Sequence, residues 1–164
     1  MTVRLCKIVL VAACALHWTV VVFNNLVDYG TNFEFVQHVL SMDTVRPANQ
    51  NSWRAIHQPW LHHSLYFGII AWETLAMATC WLGAWRCLRL RGAPWSEFER
   101  SKTTAVVGLT MVLLLFFSGF ITVGGEFYMM WQSSQWSGVD PAGRIFAIHA
   151  LILLWLTQAE TFTD

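Results

Sequence analysis

The chain has 164 residues, of which 55% are hydrophobic and only 12% are charged. Soluble domains carry about 25% charged residues, so this composition excludes an ordinary water-soluble domain. The formal net charge is zero, which gives no electrostatic reason to expect a nucleic-acid partner. We therefore expect an integral membrane protein whose first partner is the lipid bilayer. The ten tryptophans fit, because this residue is enriched at membrane interfaces.

Four apolar stretches are long enough to cross a bilayer, whose hydrocarbon core takes about 20 helical residues. They cover approximately residues 5–27, 64–86, 97–124 and 141–160. The first stretch is too long for a typical signal peptide and lacks a small-residue cleavage site, so we interpret it as a retained helix. The prediction is an all-α membrane protein, a single four-transmembrane-helix bundle over residues 1–164.

Three local patterns predict where helices begin. Ser96 with Glu99, and Thr31 with Glu34, have the spacing of a capping box. Asp140 before a proline is typical of a helix start. From the second pattern, we expect a short amphipathic interfacial helix over residues 32–42 in the first outer loop. Its predicted apolar face contains Phe33, Val36, Val39 and Leu40.

Basic residues predict the orientation of the bundle. Most of them lie before the first helix or between the second and the third: Arg4, Lys7, Arg86, Arg89, Arg91, Arg100 and Lys102. The first outer loop has only Arg46 and Arg54. By the positive-inside rule, we expect both the N- and the C-terminus on the cytoplasmic side.

Glu73 is the one acidic residue within the second apolar stretch. A carboxylate at such a depth is costly, and by default it suggests a functional site. Helical periodicity places Glu73 on the same face as Cys80, so we expect it to point into the bundle. Depth alone makes His149, Asn24 and Ser118 its reachable partners, in a polar pocket that opens outward. A structural hydrogen bond and the handling of a ligand, proton or ion both remain open.

Two histidines within the membrane raise the question of a cofactor. His17 and His149 differ in predicted depth by about 5 Å, which would allow both to ligate a b-type haem. Nothing else in the sequence supports haem, so we expect no cofactor and no metal site. Phosphate-binding glycine loops, His-Glu-x-x-His and nucleophile elbows are absent from the sequence, and we expect a protein that is not an enzyme.

The most distinctive part of the sequence is the first outer loop. It reads Tyr-Gly-Thr-Asn-Phe at residues 29–33 and Phe-Val-Gln-His-Val-Leu-Ser-Met-Asp-Thr at residues 35–44, and Trp-Arg-Ala-Ile follows at residues 53–56. With Glu73 after it, this pattern resembles a family of bacterial small integral membrane proteins of unknown function. The resemblance spans most of the chain and implies four helices in a bacterial inner membrane. It marks Asp43, Trp53, Arg54 and Glu73 as features of the family pattern without assigning them roles.

Within that loop, Arg54 is one of only two basic residues, and Asp28, Glu34 and Asp43 are available carboxylates. An arginine–carboxylate pair close to the membrane can hold a loop more firmly than a pair in water. We therefore expect Asp43, Trp53 and Arg54 to structure the loop.

The sequence leaves several functions open. The leading hypothesis is a non-catalytic accessory or stabilising subunit of a larger inner-membrane complex, with other membrane proteins as partners. The alternative is a protein that binds a small molecule or lipid in the outward-facing pocket around Glu73. A b-type haem protein ranks third. A cavity in the structure would favour the second hypothesis over the first.

Overall fold

A computed structural model describes residues 1–50 and 52–159, a region that contains helices and no β-strand. The helices are α1 (Thr2–Val27), α2 (Tyr29–Ser41), α3 (Pro59–Arg89), α4 (Trp95–Ser101), α5 (Thr103–Leu114) and α6 (Val139–Thr157). A π-helical segment, Leu115–Phe127, continues α5. Short 3-10 turns occur at Pro47–Asn49 and Met130–Gln132.

Four helices are long and apolar enough to span a membrane: Thr2–Val27, Pro59–Arg89, Trp95–Phe127 and Val139–Thr157. The prediction of an all-α bundle with four membrane-spanning helices is confirmed. The shortest span has 19 residues, or about 28 Å, which is close to the thickness of the hydrocarbon core. The predicted end of the fourth helix near residue 160 lies outside the described residues.

None of the three predicted side-chain caps is present. Helices α2, α4 and α6 begin two or three residues earlier than expected, and no side chain caps them. Only Asp28 separates α1 from α2, so Thr31 lies inside the first turn of α2, where its hydroxyl donates to the Asp28 carboxylate at 2.9 Å. The capping pattern therefore located each helix but misplaced its first residue.

The chain direction alternates, so the bundle has two different ends. The basic end holds the start of α1, the end of α3, helix α4 and the end of α6. Here α3 and α5 meet through glycine: a Cβ atom at Gly83 would lie 2.5 Å from the backbone nitrogen of Ala105, and one at Gly108 would lie 2.7 Å from the Sγ atom of Cys80. Such small residues let membrane helices touch backbone to backbone. We call this contact the glycine seam.

The opposite end, the cap end, is covered by α2. Of the predicted apolar face of α2, Val36, Val39 and Leu40 are buried and join a core with Tyr66 of α3 and Met130. Phe33, the fourth predicted residue, is partly buried against the same core. Just before α3 begins, the nitrogen of Ile56 donates a backbone hydrogen bond of 2.8 Å to the carbonyl of Leu40 near the end of α2. Helix α2 therefore packs across the cap end of the bundle, and we call this helix, Tyr29–Ser41, the roof.

Candidate functional site

Glu73 faces the interior of the bundle, with only 4% of the residue exposed. Helix α1 supplies its hydrogen-bond partner, because the Nδ2 atom of Asn25 donates to Oε2 of Glu73 at 2.6 Å. Asn32 of α2 then donates from Nδ2 to Oδ1 of Asn25 at 2.7 Å. These three side chains form a continuous polar chain from the middle of α3, through the end of α1, to the cap helix α2.

The polar chain consists of one amide–carboxyl hydrogen bond, from Asn25 to Glu73, and one amide–amide hydrogen bond, from Asn32 to Asn25. No basic side chain forms an ion pair with Glu73 among residues 1–50 and 52–159. Tyr66, two turns before Glu73 on α3, places its hydroxyl 3.5 Å from the Asn25 carbonyl. Because a buried polar group without a partner is costly, these contacts fix how α1, α2 and α3 sit against one another.

The structure changes the predicted partners of Glu73. Asn24 and Ser118 are exposed, whereas Asn25 is buried and makes the contact. Neighbouring residues on a helix point about 100° apart, so only one of the two asparagines can face α3. His149 is buried but makes its hydrogen bonds elsewhere. The sequence therefore identified the acid and its orientation, but not its partner.

His149 has a separate environment. The Nε1 atom of Trp18 donates to Nε2 of His149 at 3.1 Å, and Nδ1 of His149 lies 2.9 Å from the Ile145 carbonyl. One ring nitrogen must therefore accept and the other donate, which fixes a neutral imidazole. His17 is exposed, and its ring centroid is 6.0 Å from that of His149. Haem ligation by both histidines would require His149 to give up one of these hydrogen bonds.

Arg54 does not form the predicted ion pair. Among the described residues it pairs with none of Asp28, Glu34 and Asp43. Its Nη1 atom instead donates to the Phe127 carbonyl at 2.8 Å, which joins the first outer loop to the end of the π segment. A carbonyl at a helix end lacks an intrahelical donor, and this explains its attraction for the guanidinium.

The other two residues predicted to structure the loop, Asp43 and Trp53, have different environments from each other. The Asp43 carboxylate lies 2.8 Å from Nδ1 of His38, on α2. Trp53 is 86% exposed and only touches the ring of Phe127 by its edge, with centroids 6.1 Å apart. Asp43 thus contacts α2 and Arg54 contacts the end of the π segment, whereas Trp53 projects outward; that these three residues structure the loop stays a prediction.

A second feature, which the sequence did not predict, is a cavity of about 260 Å³ between α2, α3 and the π segment. Its lining is almost entirely apolar: Phe35, Val36, Val39, Leu40, Leu65, Ile69, Leu115, Gly119, Phe120, Val123, Gly124, Tyr128 and Met130. Burial raises the pKa of the Tyr128 hydroxyl, so this polar group stays uncharged. We call this space the roof cavity.

The π segment forms one wall of the roof cavity. Its wider hydrogen-bond spacing is seen in the 2.9 Å bond from the nitrogen of Tyr128 to the carbonyl of Val123, five residues earlier. Thirteen residues in this geometry are unusual, since π turns are mostly single and often occur at functional sites. The only hints in the sequence were Gly119, Gly124 and Gly125, which have weak helix propensity.

Glu73 does not line the roof cavity, but the polar chain lies beside it. Ile69 lines the cavity and precedes Glu73 by one helical turn on α3. Asn32 precedes Val36, another lining residue, by one turn on α2. The polar chain therefore joins two walls of the cavity just outside its lining.

Comparison with known proteins identifies the family. Residues 3–159 match the family described as "Predicted small integral membrane protein (DUF2165)". The chain belongs to this family. No curated protein and no solved structure matches the chain. The family match extends from α1 to α6, so it includes both the polar chain and the roof cavity, and it supports an integral, multi-pass membrane protein of unknown function.

Proposed function

We propose that this protein binds a membrane lipid by accommodating an acyl chain in the roof cavity. The observation that carries the proposal is a cavity of about 260 Å³ with an uncharged, apolar lining. An engineered apolar cavity of about 150 Å³ already binds benzene and stays dry without it. A larger cavity of the same character favours several methylene groups over water.

Access to the cavity supports a lipid as the occupant. Leu65 of α3 and Val123 of the π segment line the cavity, and they are 43% and 46% exposed. Both belong to helices that are apolar enough to span the membrane, so their exposed surfaces face hydrocarbon. An acyl chain can therefore enter from the side, between α3 and the π segment, without crossing the polar loops.

The polar chain has a positioning role in this proposal. It ties α2 to α1 and α3 through Asn32, Asn25 and Glu73. Helix α2 supplies Phe35, Val36, Val39 and Leu40 to the cavity lining. Two further contacts add to this tie: the Tyr29 hydroxyl of α2 lies 2.9 Å from Nδ1 of His63 on α3, and the nitrogen of Ile56 donates to the Leu40 carbonyl. Glu73 therefore acts through α2 and not by touching the lipid.

A substitution that fills the cavity tests the proposal. A Cβ atom at Gly119 would meet only the Cδ1 atom of Leu115 at 3.5 Å, an ordinary contact, so a side chain can be added there. Gly119→Leu should fill the roof cavity. Gly68→Leu is the matched control, because Gly68 lies on α3 outside the lining and a Cβ atom there meets nothing within 4 Å.

The measurement is native mass spectrometry of lipids retained by the full-length protein in gentle detergent. We expect wild type and Gly68→Leu to retain lipid equally, and Gly119→Leu to retain at least about fivefold less, equivalent to about 1 kcal/mol of binding free energy. Equal retention by all three proteins, with Gly119→Leu correctly folded, would contradict the proposal.

As a second proposal, the protein serves as a non-catalytic accessory subunit of a larger membrane complex. The supporting observation is Trp53, which projects from the cap end with 86% of its surface exposed. Exposed tryptophans are common anchors of protein interfaces. Cross-linking from a photoreactive residue at position 53 in native membranes should capture one membrane-protein partner in stoichiometric amounts. Cross-links to lipid alone would argue against this role.

We also propose that the basic end faces the cytoplasm of a bacterial cell, with the cap end outside. Ala48 and Ser96 are exposed at opposite ends of the bundle, and Cys6 is the one exposed native cysteine in the described part of the chain. In a Cys6→Ser background, Ala48→Cys should react with an impermeant maleimide in intact cells. Ser96→Cys should react only after permeabilisation. The reverse pattern would overturn the orientation.

A further inference from the structure

A second pocket lies at the basic end, where α3 ends and α4 begins. Its volume is about 430 Å³, and its lining consists of Trp85, Arg86, Arg89, Leu90, Glu97, Arg100 and Ser101. Three arginines thus share one pocket with a single glutamate. It is independent of the roof cavity, because Leu65 and Arg89 are 24 residues apart on α3, or about 36 Å.

The three arginines keep unused hydrogen-bond donors. Arg86 donates from Nη1 to the Thr104 hydroxyl at 2.7 Å, and the Arg89 guanidinium lies 4.8 Å from the centre of the Trp85 ring. The Arg100 side chain has no hydrogen bond or ion pair with any described residue. Within the described chain, none of the three forms an ion pair with Glu97. The pocket is therefore positively charged and can receive an anion.

The walls of the pocket are held in place by residues outside it. Arg4 of α1 donates from Nη1 to the carbonyls of Arg91 and Ala93, in the connection between α3 and α4, at 3.1 and 2.6 Å. Glu99 of α4 pairs with Lys102 at 2.6 Å and so does not neutralise the arginines of the pocket. The Arg4 contacts therefore hold the connection between α3 and α4 beside the pocket.

The chemistry of the pocket selects a phosphate group. Guanidinium groups bind phosphate oxygens through two parallel hydrogen bonds, and they are less strongly hydrated than ammonium groups. The pocket also includes two exposed apolar side chains, Trp85 and Leu90, at the end of a membrane-spanning helix. Tryptophan at such a position is typical of the headgroup region. A ligand that carries both a phosphate and hydrocarbon matches this combination.

We infer that the pocket formed by Arg86, Arg89 and Arg100 binds the phosphate-bearing headgroup of an anionic phospholipid in the leaflet at the basic end. Basic pockets beside membrane helices commonly recognise such headgroups. The phosphate lies among the guanidiniums, and the acyl chains extend past Trp85 into the bilayer. Free phosphate shares the charge but lacks the hydrocarbon, so its binding would leave these apolar walls unused.

The test uses full-length protein released from nanodiscs of equal parts phosphatidylcholine and phosphatidylglycerol, with retained lipids counted by native mass spectrometry. Arg89→Gln/Arg100→Gln removes two charges without touching the Arg86–Thr104 bond. Arg46→Gln/Arg144→Gln is the matched control, because both arginines are exposed and belong to the cap end. Gly119→Leu serves as a control for the roof cavity.

We expect wild type, the cap-end control and Gly119→Leu to retain phosphatidylglycerol several-fold over phosphatidylcholine. Arg89→Gln/Arg100→Gln should retain the two lipids nearly equally. Loss of the preference in the cap-end control, or its persistence in Arg89→Gln/Arg100→Gln, would overturn the inference. Removal of the preference by millimolar inorganic phosphate at constant ionic strength would indicate a free-phosphate site instead of a lipid site.

Discussion

The glycine seam and the roof cavity involve the same two membrane spans and differ in how closely these approach. At the seam, α3 and α5 are in backbone contact, and a Cβ atom at Gly83 would overlap Ala105. Further towards the cap end, α3 and the continuation of α5 separate around about 260 Å³ of space. The change begins at Leu115, where the α-helix gives way to the π segment.

The contrast shows how one pair of helices can be in backbone contact at one end and separated by a cavity at the other. In α-helical geometry, glycine and alanine recur on one face and allow contact along the seam. In the π segment, the turn is wider, and Leu115 and Phe120 line the cavity beside α3. Protein interiors usually leave few voids larger than a water molecule. The proposed lipid would occupy the space that the π segment leaves beside α3.

The largest effect should come from breaking the seam. Gly83→Val places side-chain atoms where the backbone of Ala105 lies, so α3 and α5 must separate along their length. Overpacking costs about 1–3 kcal/mol even where side chains can adjust, and backbone cannot move as easily. We expect little monodisperse protein by size-exclusion chromatography. Gly68→Val, on the open face of α3, should behave as wild type; an equally stable Gly83→Val would mean that the helices are not in contact.

A smaller and more local effect should come from the roof. Val36 is buried against the roof cavity, whereas its neighbour Gln37 is exposed. Val36→Asp places a carboxyl in an apolar environment, which costs several kcal/mol. We expect proteolysis of α2 in Val36→Asp while the four spans remain assembled, and no change in Gln37→Asp. Equal cleavage of both variants would show that α2 does not present Val36 to the bundle.

The smallest effect on stability should come from the hydrogen bond between Trp18 and His149, which lies between the two ends of the bundle. Trp18→Phe removes the donor to His149 and leaves a buried ring nitrogen without its partner. The expected loss is about 1–3 kcal/mol in the free energy of unfolding, with assembly unchanged. Thermal unfolding followed by intrinsic fluorescence measures it. Trp60→Phe, at an exposed position, is the control; equal stability of the two variants would remove the structural role assigned to His149.

Features that depend on one helix at a time were predictable from the sequence. The four spans, the inward face of α2 and the inward orientation of Glu73 follow from length and periodicity alone. Features that depend on how two helices rotate against each other were not. The choice of Asn25 over Asn24 is one example, and the bond from Arg54 to a backbone carbonyl is another. The roof cavity depends on the π segment, which has no distinct sequence pattern.

The central claim is that the polar chain holds the roof over the cavity. Glu73→Leu removes the acceptor for Asn25, whereas Glu73→Gln keeps an oxygen in a side chain of the same shape. Hydrogen–deuterium exchange of the backbone amides of α2, measured on the full-length protein, compares the two variants directly. If loss of this buried hydrogen bond lowers the free energy of local opening by about 1.4 kcal/mol, opening becomes about tenfold more frequent.

We predict about tenfold faster exchange across Tyr29–Ser41 in Glu73→Leu, near wild-type exchange in Glu73→Gln, and unchanged exchange in Thr103–Leu114 beside the glycine seam in both. Identical protection of α2 in wild type and Glu73→Leu would contradict the claim, because α2 would then be held by its apolar packing and its other hydrogen bonds without help from Glu73.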